Sequence, residues 1–155
     1  AGQRPANSEP TVEWYQELSR TLGIEDRVTW LIRHVEDKEI PEIFNCVDLA
    51  VLPYMKSFEA QSSVLSIAAA YDVPVIASDV ANIGETVREF ELGLCVESES
   101  AEQLAEGLRT LAITPRSSNT SAQRFARISN WTEVGRQYWL LYRDQLHSLG
   151  KGENT

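Results

Sequence analysis

The apolar positions of this chain fall into short runs separated by longer stretches of helical spacing. Leu49-Ala50-Val51-Leu52 is one such run, closed by Pro53, and Pro74-Val75-Ile76-Ala77 is another. Runs of that length, bounded by proline and polar residues, read as buried strands. Between them, residues 54–58 read as a loop. Glu59-Ala60-Gln61-Ser62-Ser63 then opens a helix, because acid and hydroxyl side chains suit the free amides and positive dipole of a first turn. Val64, Leu65, Ile67, Ala68, Ala69 and Ala70 are apolar nearly all round, which predicts a buried helix. Asp72 marks its end. Strand, helix and strand make a βαβ unit with parallel strands and a right-handed crossover. The loop leaving the first strand faces the carboxyl edge of the sheet, where open α/β folds bind ligands. A helix N-terminus at that edge can hold a phosphate or a sugar hydroxyl.

The flanking pattern extends this unit in both directions. Ser8-Glu9-Pro10 reads as a helix entry. Val12, Tyr15, Leu18, Ser19 and Leu22 follow at helical spacing, and Gly23 is the stop. Val28-Thr29-Trp30-Leu31-Ile32 reads as a strand, 33–36 as a loop, and Glu36 or Asp37 as the cap of a helix running to about Cys46. That helix would turn Ile40, Ile43, Phe44 and Val47 inward. After the central unit come a polar loop at 78–82 and a short helix at 83–90, with Gly84 and Glu85 in its first turn. Gly93-Leu94-Cys95-Val96 is a last strand. Ser98 or Ser100 caps a helix that gathers Leu104, Ala105, Leu108, Leu111 and Ala112 on one face. Residues 114–118 are a break and 119–128 a helix. Residues 131–149 form a long helix with Val134, Tyr138, Leu141, Tyr142, Gln145 and Leu149 near one face. Residues 1–7 read as a loop, and 151–155 should fray. Four strands alternating with helices predict an α/β fold, a Rossmann-like parallel sheet flanked by helices. The expected organisation is a single domain over 1–155, with its core in 22–112 and C-terminal helices in 116–149.

Composition narrows the function classes. A chain of 155 residues can bury a core of its own. Fourteen basic against 23 acidic residues give a net charge of −9, which argues against nucleic acid or an anionic membrane surface as the main partner. Two cysteines, Cys46 and Cys95, sit among apolar residues and read as buried, reduced thiols. Their spacing supports neither a disulfide nor a metal site. No apolar run reaches the about 20 residues of a membrane span, and the first residues lack a signal-peptide pattern. The expected location is cytoplasmic, with a peripheral place at the inner face of the membrane as the alternative. There is no dinucleotide-binding or P-loop glycine pattern and no G-x-S-x-G elbow. His34 and His147 read as surface residues, and the four tryptophans as core and helix-packing residues.

Several segments, in one order, resemble the C-terminal, donor-binding half of the GT-B glycosyltransferases of family 4, also called glycosyl transferases group 1. Leu22-Gly23-Ile24-Glu25-Asp26-Arg27-Val28 is similar to the family's "LGLxDRV". Residues 40–51 resemble its helix and "aDvxVlP" strand, and Val73-Pro74-Val75-Ile76-Ala77-Ser78-Asp79 its "kPVVATD". Glu85 stands at the glutamate of "GGxxE". Gly93-Leu94-Cys95-Val96 resembles "nGLLV", and Trp131 with residues 138–143 the closing helix. Ala60-Gln61-Ser62-Ser63-Val64 is similar to a divergent branch with "QSGV" in place of the glycine-rich turn.

The resemblance implies a nucleotide-diphospho-sugar as donor, used as substrate with no cofactor and no metal, and sugar transfer with retention at the anomeric carbon. It implies that Glu59 contacts sugar hydroxyls, with Gln61, Ser62, Ser63 and Val64 beside it in the donor-sugar site. Arg33 and Glu85 are the candidate nucleotide or phosphate contacts. The second donor-binding glutamate of the family falls at Ile67, which accepts no hydrogen bond. Arg33 replaces a glycine, and Ala81-Asn82 a glycine pair. The family's donor domain has further strands and a basic Arg and Lys ahead of the point where Ala1 stands, and an acceptor-binding domain before those. The chain is therefore expected to be part of a longer enzyme, inactive by itself. Its acceptor, a glycan or lipid-linked sugar, would be held by that other domain, and its open sheet edges would allow self-association. The alternative expectation is a non-catalytic GT-B-like binding or scaffold module. An unrelated sugar or nucleotide enzyme of similar build would need a catalytic acid–base pair that the sequence does not offer.

Overall fold

In a computed structural model of the chain, residues 10–113 and 119–149 are described. The Ser8-Glu9 part of the expected helix entry, the 114–118 break and the fraying end lie outside them. The chain divides into two compact units, one running to Ile43 and one from Phe44.

In the first unit, α1 (Val12–Thr21) is capped by Thr11, whose hydroxyl accepts from the Trp14 amide. Gly23 ends it as the glycine of a Schellman turn, at φ +63°. The Gly23 amide donates to the Arg20 carbonyl and the Ile24 amide to Ser19. The expected strand at 28–32 is not one. The segment is extended at Val28 but has no ladder partner among the described residues, and a strand exists only by pairing. Trp30 and Ile32 are correspondingly exposed. A 3-10 turn at Glu25–Arg27 precedes it, and another at Asp37–Glu39 leads into α2 (Ile40–Cys46). Glu36 and Glu39 form a reciprocal capping box at that entry.

The second unit contains the sheet. β1 (Ala50–Leu52), β2 (Val75–Ser78) and β3 (Gly93–Val96) run parallel in the order β1-β2-β3. Among the described residues the sheet thus has three strands where four were expected. Ala50 pairs with Val75 and Val75 with Gly93. All four residues of β2 are buried, as befits a central strand covered on both faces. Val51, on the outer strand, stays exposed, so only Leu52 of the expected buried run is interior.

Alternation along β2 sends Val75 and Ala77 to one face and Ile76 and Ser78 to the other. The first face packs on α3 (Ser63–Ala70), α4 (Ile83–Glu89) and α6 (Thr120–Ile128) through Leu65, Ala68, Ile83, Val87 and Ala122. The second face takes α5 (Ala101–Ala112), which approaches closely because Gly107 lies against Ile76 and Val96. Ser100, of the two serines considered, is its cap, accepting from the Gln103 amide. Leu108 and Ala112 turn out exposed, because Gly107 occupies the centre of the contact face.

α3 is buried along one side only. Val64 and Ala70 are exposed, because the helix covers one face of the sheet rather than threading the interior. Its cap is Ser62, so Glu59 lies in the loop before the helix and not in its first turn. Asp72, at φ +52°, follows its end as expected.

α6 is capped by Asn119, whose Oδ1 accepts from Ser121 and Ala122 while its Nδ2 donates to the Glu91 carbonyl at 2.8 Å. Three hydrogen bonds meet on one side chain. Asn119→Ala is expected to lower stability by about 1–2 kcal/mol, read as a shift in the urea midpoint. α7 (Trp131–Leu149) matches its expected extent, but Tyr138, Leu141 and Tyr142 are exposed. All four tryptophans, Trp14, Trp30, Trp131 and Trp139, are also exposed rather than in a core. Cys46 is exposed rather than buried, and Cys95 is half-buried; both are free thiols. Cys46 ends a short helix with no buried residue, so nothing covers it.

Candidate functional site

Three loops leave the carboxyl ends of the parallel strands, at 53–62, 79–82 and 97–100. The first is the longest. It has no regular structure between Pro53 and Ser62, apart from a turn in which the Phe58 amide donates to Met55. At its far end the Ser62 hydroxyl caps α3, accepting from the Leu65 amide at 3.2 Å. That leaves the amides of Ser63 and Val64, the first two helical residues, without a carbonyl one turn back. Both residues are solvent-exposed. A helix N-terminus with two such amides at a sheet's carboxyl edge can accept an anion.

The candidate residues fall into distinct environments. Glu59 and Gln61 are exposed on the loop, with no hydrogen bond to another described residue. Ser62 is buried, its hydroxyl 2.8 Å from the Tyr54 hydroxyl as well as capping the helix. Ser63 and Val64 offer backbone amides. Glu85 is exposed in the first turn of α4. Ile67 is half-buried within α3. Arg33 belongs to the first unit, where its guanidinium grips the Glu39 carboxylate in a two-pronged pair at 2.7 and 2.5 Å.

That pair holds the Glu39 carboxyl down at about 2, chiefly through the hydrogen bond from Arg33 and next through the Glu36 amide. A lowered carboxyl favours the fold above the usual glutamate range, and its contribution is lost as pH falls toward 2. A carbon-detected NMR titration should therefore place the Glu39 midpoint near 2. In Arg33→Ala the midpoint should climb back toward that of an ordinary glutamate.

Two of the clefts among the described residues lie beside the sheet. The larger, about 620 Å³, follows the outer edge of β3 and is lined in part by Lys56, Asp79, Arg88, Cys95 and Gln103. There Arg88 donates two hydrogen bonds to Asp79, at 2.8 and 3.1 Å, and keeps its carboxyl below the usual range. The helical Gly84 makes room for that carboxylate, which a Cβ at this position would overlap. Burial pushes the Cys95 thiol up, and its S–H donates to the Gly84 carbonyl. The smaller cleft, about 230 Å³, lies between Pro53, Ser78 and the start of α5. Glu59 lines neither of these two clefts.

Sequence reasoning gave no part in the site to Tyr54, Ser98, Asp79 or Arg88. Tyr54 directly follows the proline that ends β1, the one local sign that it anchors the loop. Ser98 and Arg88 give no local sign, since their partners are distant in sequence.

The family model described as "Glycosyl transferases group 1" matches residues 1–127. The chain belongs to that family. It is 35% identical over 119 residues to a D-inositol 3-phosphate glycosyltransferase of Rhodococcus erythropolis, covering 74% of this chain and 26% of that protein. To a protein of the same description from Corynebacterium aurimucosum it is 31% identical over 154 residues, 94% of this chain and 34% of the relative. Among solved structures, sucrose-phosphate synthase from Thermosynechococcus elongatus superposes with a TM-score of 0.77 at 25% identity, over 96% of this chain and 38% of that one. The group 1 chain thus spans about a fifth to a third of the curated relatives it matches. Its fold is that of a GT-B glycosyltransferase. No helix among the described residues is long and apolar enough to cross a membrane.

Proposed function

We propose that this chain supplies the donor-binding part of a retaining glycosyltransferase that uses a nucleotide-diphospho-sugar. The observation that carries the reading is the capped start of α3 at the carboxyl edge of a parallel sheet. Ser62 consumes the Leu65 amide and leaves the Ser63 and Val64 amides for the diphosphate. Glu59, which has no hydrogen-bond partner among the described residues and lies on the loop that feeds this helix, is the acceptor for sugar hydroxyls. Gln61 lies beside it as a second polar contact, and Glu85, at the start of α4, is assigned to the nucleotide side. Arg33 is held by Glu39 in the first unit, so a phosphate would have to compete for it.

The acceptor to try first is D-inositol 3-phosphate, the compound in the relatives' names. The test is turnover. The longer enzyme expected to contain this chain is incubated with radiolabelled UDP-, GDP- and ADP-sugars and D-inositol 3-phosphate, and the product's anomeric configuration is read by NMR. Transfer with retention supports the proposal; transfer with inversion, or hydrolysis alone, overturns it.

A second reading, a non-catalytic binding or scaffold module, is favoured by one observation. Ile67 places an apolar, half-buried side chain where the family has its second donor glutamate, so a ribose hydroxyl there goes unpaired at a cost of roughly 1–3 kcal/mol. Binding of a donor sugar without any transfer, across a broad acceptor panel, would select it.

A further inference from the structure

We infer that Tyr54 and Ser98 are positioning residues, which fix the loop bearing Glu59 by tying its two ends to each other and to the end of β3. The inference rests on the donor-binding reading of α3. Residues 53–62 carry no regular structure, and holding such a segment in one conformation costs backbone entropy at every residue. In the middle of the loop Phe58 packs against the hydrophobic core, but the polar side chains add no restraint. Lys56, Glu59 and Gln61 are exposed and form no hydrogen bond with another described residue. The side-chain hydrogen bonds sit at the ends. The buried Ser98 hydroxyl, on the turn that leaves β3, donates to the Tyr54 carbonyl at 2.9 Å. The Tyr54 hydroxyl lies 2.8 Å from the Ser62 hydroxyl, joining the first part of the loop to the cap of α3. The Tyr54 ring also stacks on Phe58, with centroids 4.0 Å apart and planes 17° from parallel.

These contacts form one chain from the β3 turn through Tyr54 to Ser62 and on to the first turn of α3. The place of Glu59 relative to the Ser63 and Val64 amides is inherited from it. The turn is itself unusual. Glu99, next to Ser98, adopts a left-handed φ of +66°, a conformation in which the Cβ of a non-glycine residue is crowded. The Glu97 amide, on the other side, is held by the Gln103 side chain at 2.8 Å.

Tyr54→Phe keeps the ring stack and the Ser62 cap while deleting the hydroxyl link, and Ser98→Ala deletes the link to the β3 turn. Each is expected to raise the dissociation constant of the donor about threefold to tenfold. UDP-glucose, GDP-mannose and ADP-glucose serve as probes, titrated by calorimetry well below the melting temperature of every variant. A double-mutant cycle separates positioning from general stability. If Tyr54 acts by placing Glu59, removing Glu59 costs at least about threefold less affinity in the Tyr54→Phe background than in the unaltered protein. Full additivity of the two substitutions, or unchanged affinity in both single variants, overturns the inference while leaving the donor reading standing. Failure of the unaltered protein to bind any of the three probes overturns both.

Discussion

Gly93→Ala is expected to abolish the native sheet. Gly93 opens β3 at φ +152°, and a Cβ built there would press into the Val75 carbonyl and stand 2.7 Å from the Val75 nitrogen. Those are main-chain atoms of the central strand, paired with Gly93 in register. They cannot move aside as a flexible side chain would. Either β3 slips, which sends its side chains to the wrong faces, or the ladder separates. The expected loss is about 3 kcal/mol or more, from strain plus lost pairing. That is a large part of the margin of a small domain. Circular dichroism during urea unfolding reads it directly. Gly107→Ala is the matched control. Its nearest neighbour would be the Ile76 Cδ1 at 3.4 Å, an ordinary contact, and alanine is the better helix former by about 1 kcal/mol. That variant should be as stable as the unaltered protein or more so. Equal losses for the two glycines would mean that β2 and β3 do not pair as described.

The largest expected functional effect belongs to Glu59. Glu59→Ala should weaken binding of the donor sugar by about tenfold to a hundredfold, the range for a charged group accepting hydrogen bonds. Folding should be unaffected, because the side chain is exposed and makes no hydrogen bond or ion pair with another described residue. Glu59→Gln keeps an acceptor and should retain part of the affinity. The free nucleoside diphosphate, which has no sugar for Glu59 to hold, should bind both variants as it binds the unaltered protein. The contrast between donor and diphosphate ties the role to the sugar. A loss that is equal for both ligands would place the effect elsewhere.

What could be read from the residues follows from where the information lies. β2, α5 and α7 were legible because periodicity and flanking punctuation coincide in one segment, as with Pro74 before Val75 and Ser100 before Ala101. Segment 28–32 has the composition of a strand but no strand beside it among the described residues, and pairing is not a local property. The start of α3 was read too early for a similar reason. Glu59, Ser62 and Ser63 can each begin a helix, and the Tyr54 hydroxyl and Leu65 amide select Ser62. The apolar face of α7 was legible as a pattern, and its exposure was not, since periodicity names a face without naming its neighbour. Within the candidate site, the residue types that hold sugars and phosphates were visible. The braces that place them, Ser98 to Tyr54 across 44 positions, were not.

The account depends on an activated sugar being held at the first turn of α3. The most direct measurement is a titration of the nitrogen-15-labelled protein with whichever nucleotide sugar it binds, following each backbone amide. Saturable shifts that are largest at Ser63 and Val64, and reduced for the same ligand in Glu59→Ala, are the predicted result. Shifts confined to Cys95, Gln103 and the outer edge of β3, with α3 unmoved, would contradict it.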